Sequence, residues 1–247
     1  LGIEGVLLSN LMVSGIIFIL SLPIIIKRIN ISLIKSNILK DIIKFGLPFL
    51  PAGVFTMIME LSNRYIIDWF EGTHAVGLFS AGYKLGIFGL IVVMGFNMGW
   101  TPYFLKRIKE ENAKIEFSYI ASLFLGLLGF VVIIISIWVP EIMRLNIGSN
   151  YLIGENFWGA ERVAAIVLIG YFFFGTYVIQ LPGVYANELT NWIPMFRGIG
   201  AVTNISLNII LIPKYGVLGS AWATVVAFLF MSLSVFIKLF NIYYVKY

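Results

Sequence analysis

Apolar residues fall in long continuous runs along this chain, broken by short polar or glycine- and proline-bearing connections. Residues 91–96 (IVVMGF) and 131–139 (VVIIISIWV) show no alternation. That argues for helices and against a membrane barrel, whose strands alternate over about ten residues. About 20 apolar helical residues cross a hydrocarbon core. Seven segments reach that length: residues 5–26, 42–70, 75–100, 117–139, 163–181, 192–212 and 217–237. The pattern predicts an all-α membrane protein with about seven transmembrane helices. Trp69, Trp100, Trp138, Trp158 and Trp192 fall near segment ends, where interfacial anchors belong.

Composition agrees. Of 247 residues, 60% are hydrophobic and 12% charged, and the mean hydropathy is +0.97; soluble domains carry about 25% charged residues. With no cysteine there is neither a disulfide framework nor a thiolate metal site. A single histidine, His74, argues against histidine-based metal binding or catalysis, and no cofactor is expected. The net charge of +5 reflects topology better than an acidic or nucleic-acid partner. Lys27, Arg28, Lys35, Lys40, Lys44, Lys106, Arg107, Lys109, Lys114, Lys238 and Lys246 lie on one side, against Arg144, Arg162 and Lys214 on the other. The basic side is expected to be cytoplasmic, with the C-terminus there. The chain opens at Leu1 on an apolar segment without signal-peptide features. It reads as a fragment, and a preceding part that also begins on the cytoplasmic side would hold an odd number of spans. The external connection 140–162 is too short for a catalytic domain, and its residues 141–148 are expected to lie along the interface.

Polar residues inside the apolar segments are the candidate functional groups. Glu60, Arg64 and Asp68 are spaced by four, one stripe on a helix. An arginine near mid-bilayer costs at least about 2.5–3.5 kcal/mol, so the stripe must face protein or water. It is either a self-neutralising network or the polar face of a substrate or ion cavity. Lys84 sits near the middle of the third segment, and the short EGTH turn makes segments two and three antiparallel neighbours. Arg64 and Lys84 therefore open onto one cavity, or Lys84 pairs with Glu60. Arg197 is close enough to a segment end to snorkel to the headgroups. Asn97, Asn204 and Asn208 suit interhelical hydrogen bonds or substrate contact. Gly46, Pro48, Pro51 and Gly53 interrupt the start of segment two. Gly82 with Gly86, and Gly95 with Gly99, are small-residue pairs for close packing.

An ordered set of short motifs carries a family likeness. It begins at Phe45-Gly46-Leu47-Pro48 with Pro51, then Asn63-Arg64-Tyr65, Val76-Gly77-Leu78-Phe79-Ser80 and Tyr83-Lys84. Phe96, Asn97, Trp100 and Pro102 follow, and then Asn204, Asn208, Ile212-Pro213-Lys214-Tyr215-Gly216 and Gly219-Ser220-Ala221. The chain resembles Wzx-type O-antigen and capsule flippases of the multidrug/oligosaccharidyl-lipid/polysaccharide exporter superfamily. The resemblance implies a two-lobed transporter in the bacterial inner membrane. Residues 1–41 would be the last helix of the N-terminal lobe and a cytoplasmic linker. Residues 42–247 would be the C-terminal six-helix lobe, and the missing N-terminal lobe its partner. The implied activity is flipping of a polyprenyl-diphosphate-linked oligosaccharide by alternating access, for lipopolysaccharide or other surface polysaccharide. The implied substrate-binding set is Arg64, Lys84, Asn63, Asn97, Arg197 and Asn204, with Glu60 and Asp68 as a supporting charge network. Many relatives have Asp-Arg where this chain has Asn63-Arg64, which makes the site more positive or shifts Arg64 towards Glu60 and Asp68. The alternatives are an ion-coupled multidrug exporter of the same superfamily, using Glu60 or Asp68, and a membrane glycan polymerase or ligase.

Overall fold

A computed structural model describes residues 2–28, 36–47, 49–147, 150–151 and 153–243. It divides into two units, Leu1–Gly46 and Leu47–Tyr247. The first holds α1 (Gly2–Arg28), an apolar helix with largely exposed side chains, and α2 (Ser36–Gly46). Ile38, Leu39, Ile42 and Ile43 of α2 alternate with Lys40 and Lys44 at helical spacing, so α2 is amphipathic.

The second unit begins with α3 (Phe49–Glu71). The single segment expected over residues 42–70 is thus two helices, α2 ending in a turn at Leu47. Residue 48 is proline and lies outside the described residues. Pro51 takes the first turn of α3, where its missing N–H leaves no bond unmade. Gly72, at φ 79°, turns the chain into α4 (Thr73–Arg107). Next come α5 (Ala113–Met143), a two-residue antiparallel pair β1 (Asn146–Ile147) and β2 (Asn150–Tyr151), and a 3-10 turn at Glu155–Ala160. Residues 141–143 complete α5 instead of lying along an interface, and residue 148 is outside the described set. Then follow α6 (Glu161–Ile179), the short α7 (Leu181–Ala186), a 3-10 turn at Leu189–Trp192 and α8 (Ile193–Leu239).

α8 is a hairpin. Gly216 has φ 56° and ψ −140°, a left-handed backbone open mainly to glycine. A Cβ on Gly219 would lie 2.5 Å from the Leu211 carbonyl oxygen, so arms 193–215 and 217–239 run back along each other. Six helical stretches among the described residues are long and apolar enough to span a membrane. The last of them is this hairpin, which supplies the sixth and seventh expected segments. The protein is an all-α membrane protein.

Glycine sets the spacing of α4 and α6. A Cβ on Gly82 would sit 2.6 Å from the Ala160 carbonyl oxygen, and one on Gly86 2.5 Å from Val167 Cγ1. The Gly95 and Gly99 pair meets nothing within 4 Å. Between α4 and α5, Phe96 stacks on Phe124, and Trp100 packs edge-on to Phe117. Trp100 is therefore core and no interfacial anchor, because α4 continues another two turns to Arg107.

The two ends of this unit differ in charge. Glu71, His74, Glu161 and Arg162 gather around the Gly216 turn in a cleft of about 520 Å³. At the opposite end Lys114 lies over the Tyr243 ring and Lys238 over Trp192. There, too, Arg107 is paired with Glu116 at 2.7 Å.

Candidate functional site

A cavity of about 240 Å³ lies within the second unit, between α3, α4, α6 and both arms of α8. Its walls are largely thioether and aromatic, with one leucine: Met59 from α3, Leu90 and Met94 from α4, Tyr171 and Phe174 from α6, and Phe228 and Met231 from α8. Of the lining residues, Glu60 and Met94 are exposed, which places the mouth between α3 and α4. These helices are joined at the Gly72 turn.

Three polar features break the apolar wall. Arg197 reaches from α8 to α3, where its guanidinium donates to Thr56 Oγ1 at 3.0 Å and to the Ala52 carbonyl at 3.5 Å. The side chain is half-buried against α3. The Tyr171 hydroxyl donates to the Tyr83 hydroxyl at 2.9 Å, so two buried phenols satisfy each other at the back of the cavity. Asn204 and Thr224 expose the edge of a buried amide network.

That network joins three helical segments. Asn208 Nδ2 donates to Asn63 Oδ1 and to the Asn204 carbonyl, both at 2.8 Å. Asn63 Nδ2 donates to Thr224 Oγ1 at 3.1 Å, and Ser62 donates to Asn204 Oδ1 at 3.1 Å. Asn63, Asn204 and Asn208 are fully buried. Buried amides are stable only when so paired, and here the pairs lock α3 to the α8 hairpin. Asn63 does not line the cavity; its amide is committed to Asn208 and Thr224. Asn97 accepts from Thr101 one turn on in α4 and also stands apart from the cavity.

The Glu60, Arg64 and Asp68 stripe is not ion-paired among the described residues. Positions four apart drift about 40° per step around a helix of 3.6 residues per turn, so the three groups diverge. Glu60 reaches the cavity mouth. Arg64 turns back to donate to the Glu60 backbone carbonyl at 2.9 Å, with its guanidinium 5.3 Å from the centre of the Tyr83 ring. Asp68 accepts from Thr73 at 2.9 Å. Arg64 and Asp68 line a separate shallow groove of about 310 Å³ with Leu61, Tyr65, Thr73 and Val76. Lys84 is exposed and has no salt-bridge partner among the described residues. It follows Tyr83, and consecutive helical positions point about 100° apart; Tyr83 lines the cavity and Lys84 does not. Of the six expected substrate-binding residues, the cavity takes Arg197 and Asn204. Its charged lining is one acid and one base, so it is balanced and not basic.

Tyr171, Thr224 and the three methionines belong to the cavity but did not stand out in the sequence. The Tyr83 to Tyr171 contact spans 88 positions, and no local pattern marks it. Thr224 was masked by the small residues around it; its spacing of four from Ser220 was the one available signal.

Comparison with known proteins places this geometry. Residues 1–107 match a family model described as polysaccharide biosynthesis protein. Over 206 residues the chain is 23% identical to the multidrug export protein MepA of Staphylococcus aureus strain bovine RF122 / ET3-1, covering 78% of this chain and 43% of that protein. MepA of strain MSSA476 is 22% identical over the same length and coverage. The chain thus spans less than half the length of the curated relatives it matches. Among solved structures, a MOP superfamily transporter from Pyrococcus furiosus superposes with a TM-score of 0.66 at 23% identity, over 81% of this chain and 44% of that one. An outward-facing multidrug resistance MATE family transporter gives the same values. The chain has the fold of a MOP superfamily transporter, over somewhat less than half of that transporter's length.

Proposed function

We propose that this chain is part of an exporter that moves amphipathic aromatic organic molecules across a bacterial cytoplasmic membrane by alternating access. The cavity between α3, α4, α6 and α8 carries the reading. Methionine and aromatic walls suit varied flat apolar bodies, because thioethers adapt to irregular shapes and make favourable contacts with rings. Glu60 at the mouth offers a carboxylate to a positively charged group. Arg197, deeper and tethered to Thr56, supplies a fixed donor. Likeness to the MepA multidrug export proteins supports the same reading. Glu60 is also the better placed of the two candidate coupling carboxylates, since Asp68 lies outside the cavity. The positive-inside bias supports a cytoplasmic C-terminus. The test is transport of methyltriphenylphosphonium in proteoliposomes of the full-length protein. Glu60→Gln is expected to weaken uptake a few-fold, as for a partly exposed charge pair worth up to about 1 kcal/mol. Unchanged uptake in the variant removes Glu60 from the site, and no uptake by the unaltered protein removes the reading.

A second reading, flipping of a lipid-linked oligosaccharide, is favoured by the polysaccharide biosynthesis match over residues 1–107, which include Arg64 and Lys84. These two cations lie outside the cavity, so under this reading the anionic group sits on the exposed face of α3 and α4. Loss of glycan export in Arg64→Ala and Lys84→Ala variants, with phosphonium transport intact, would favour it over the first.

A further inference from the structure

Gly200 sits behind the cavity wall on the first arm of α8, buried and not itself lining the cavity. A Cβ built there would lie 3.0 Å from Met59 Sδ, 3.4 Å from Met231 Cβ and 3.5 Å from the Ala227 carbonyl oxygen. Three segments therefore meet at a point where only a hydrogen atom fits comfortably. The three neighbours differ in freedom. Met231 Cβ and the Ala227 carbonyl are fixed to the second arm of α8. Met59 Sδ is near the end of an unbranched side chain with several rotatable bonds. Met59 is nearly buried, and the unfilled space beside it is the cavity it lines. A methyl group at residue 200 is thus absorbed by moving one thioether inward, with little strain in the fold.

We infer that Gly200 is a positioning residue that sets the cavity's width through Met59, and so the largest aromatic substrate admitted. The inference rests on the reading of the cavity as an aromatic-cation site. It extends that reading from chemistry to size selection by a residue the substrate never touches. In a cavity of about 240 Å³ the loss of room for one methyl group matters only to ligands that already fill it.

The experiment measures binding of methyltriphenylphosphonium and of the smaller benzyltrimethylammonium to the purified full-length protein. Gly200→Ala is expected to weaken the larger cation about tenfold or more and the smaller by no more than about twofold, the scale of discrimination one carbon provides in an apolar pocket. Met59→Ala alone is expected to tighten the larger cation, and Met59→Ala added to Gly200→Ala to restore it. Equal losses of both cations in Gly200→Ala, no loss of either, or failure of the double variant to restore the larger overturns the size role and leaves the proposed function standing. Binding of neither cation by the unaltered protein overturns the proposed function and the size role with it.

Discussion

Asn208 shows how much depends on single polar residues in an apolar bundle. Its amide donates across helices to Asn63 and back to Asn204, all fully buried. Asn208→Ala strands the Asn63 carbonyl oxygen without its donor. A stranded buried group costs about 1–3 kcal/mol, and thermal unfolding in detergent is expected to show a loss of that size. Asn97→Ala makes the control, since among the described residues Asn97 bonds only within α4. It is expected to stay within about 0.5 kcal/mol, as changes away from buried networks do. A comparable loss in both variants contradicts the account of the network. Charge follows the same logic at Arg197, whose guanidinium is buried only as far as Thr56 and Ala52 accept its protons.

Helices here are spaced by glycine and turned by glycine. Gly82 and Gly86 let α4 approach α6 to within backbone contact. Gly86→Leu would drive its first side-chain atom onto Val167 and separate the pair that frames Tyr83 and Tyr171. Overpacking of this kind costs about 1–3 kcal/mol, read as a lower midpoint of thermal unfolding. Gly216 acts on the path of the chain instead. Its φ of 56° costs any other L-residue roughly 1–2 kcal/mol. Gly216→Val is expected to destabilise by that amount, and it relocates the reversal of α8 if the turn yields. Double-cysteine crosslinking between the two arms reads that register directly. Crosslinking and stability both unchanged would mean that the turn tolerates side chains.

At the scale of the whole molecule, alternating loop charge makes a topological prediction. The chain has no native cysteine, so single cysteines report without background. On intact cells, a membrane-impermeant maleimide is expected to label Glu155→Cys, at the start of the first 3-10 turn, and to spare Glu110→Cys, between α4 and α5, until the cells are opened. Both positions are exposed in the fold. The reverse labelling inverts the orientation. Mouth and floor of the cavity lie on different elements, Glu60 on α3 and Arg197 on α8.

Sequence periodicity by itself determined that the chain is helical and membrane-embedded, because a hydrocarbon core demands long apolar runs and tolerates no unpaired backbone. It also located the apolar segments, though it ran α2 and α3 together as one, and the polar residues worth asking about. Tertiary structure alone decided what those residues do. Glu60 and Arg64 share a stripe in the sequence, yet helix rotation sends one to the cavity and folds the other back on its own backbone. Tyr83 and Lys84 are neighbours, yet one lines the cavity and the other does not. Arg197 looked peripheral by its distance from a segment end, and a crossing helix placed Thr56 beside it. Composition and period are set by local sequence, since each residue carries its own transfer energy. Convergence of Met59, Tyr171 and Met231 on one space depends on packing of α3, α6 and α8 against one another, which no window of sequence contains.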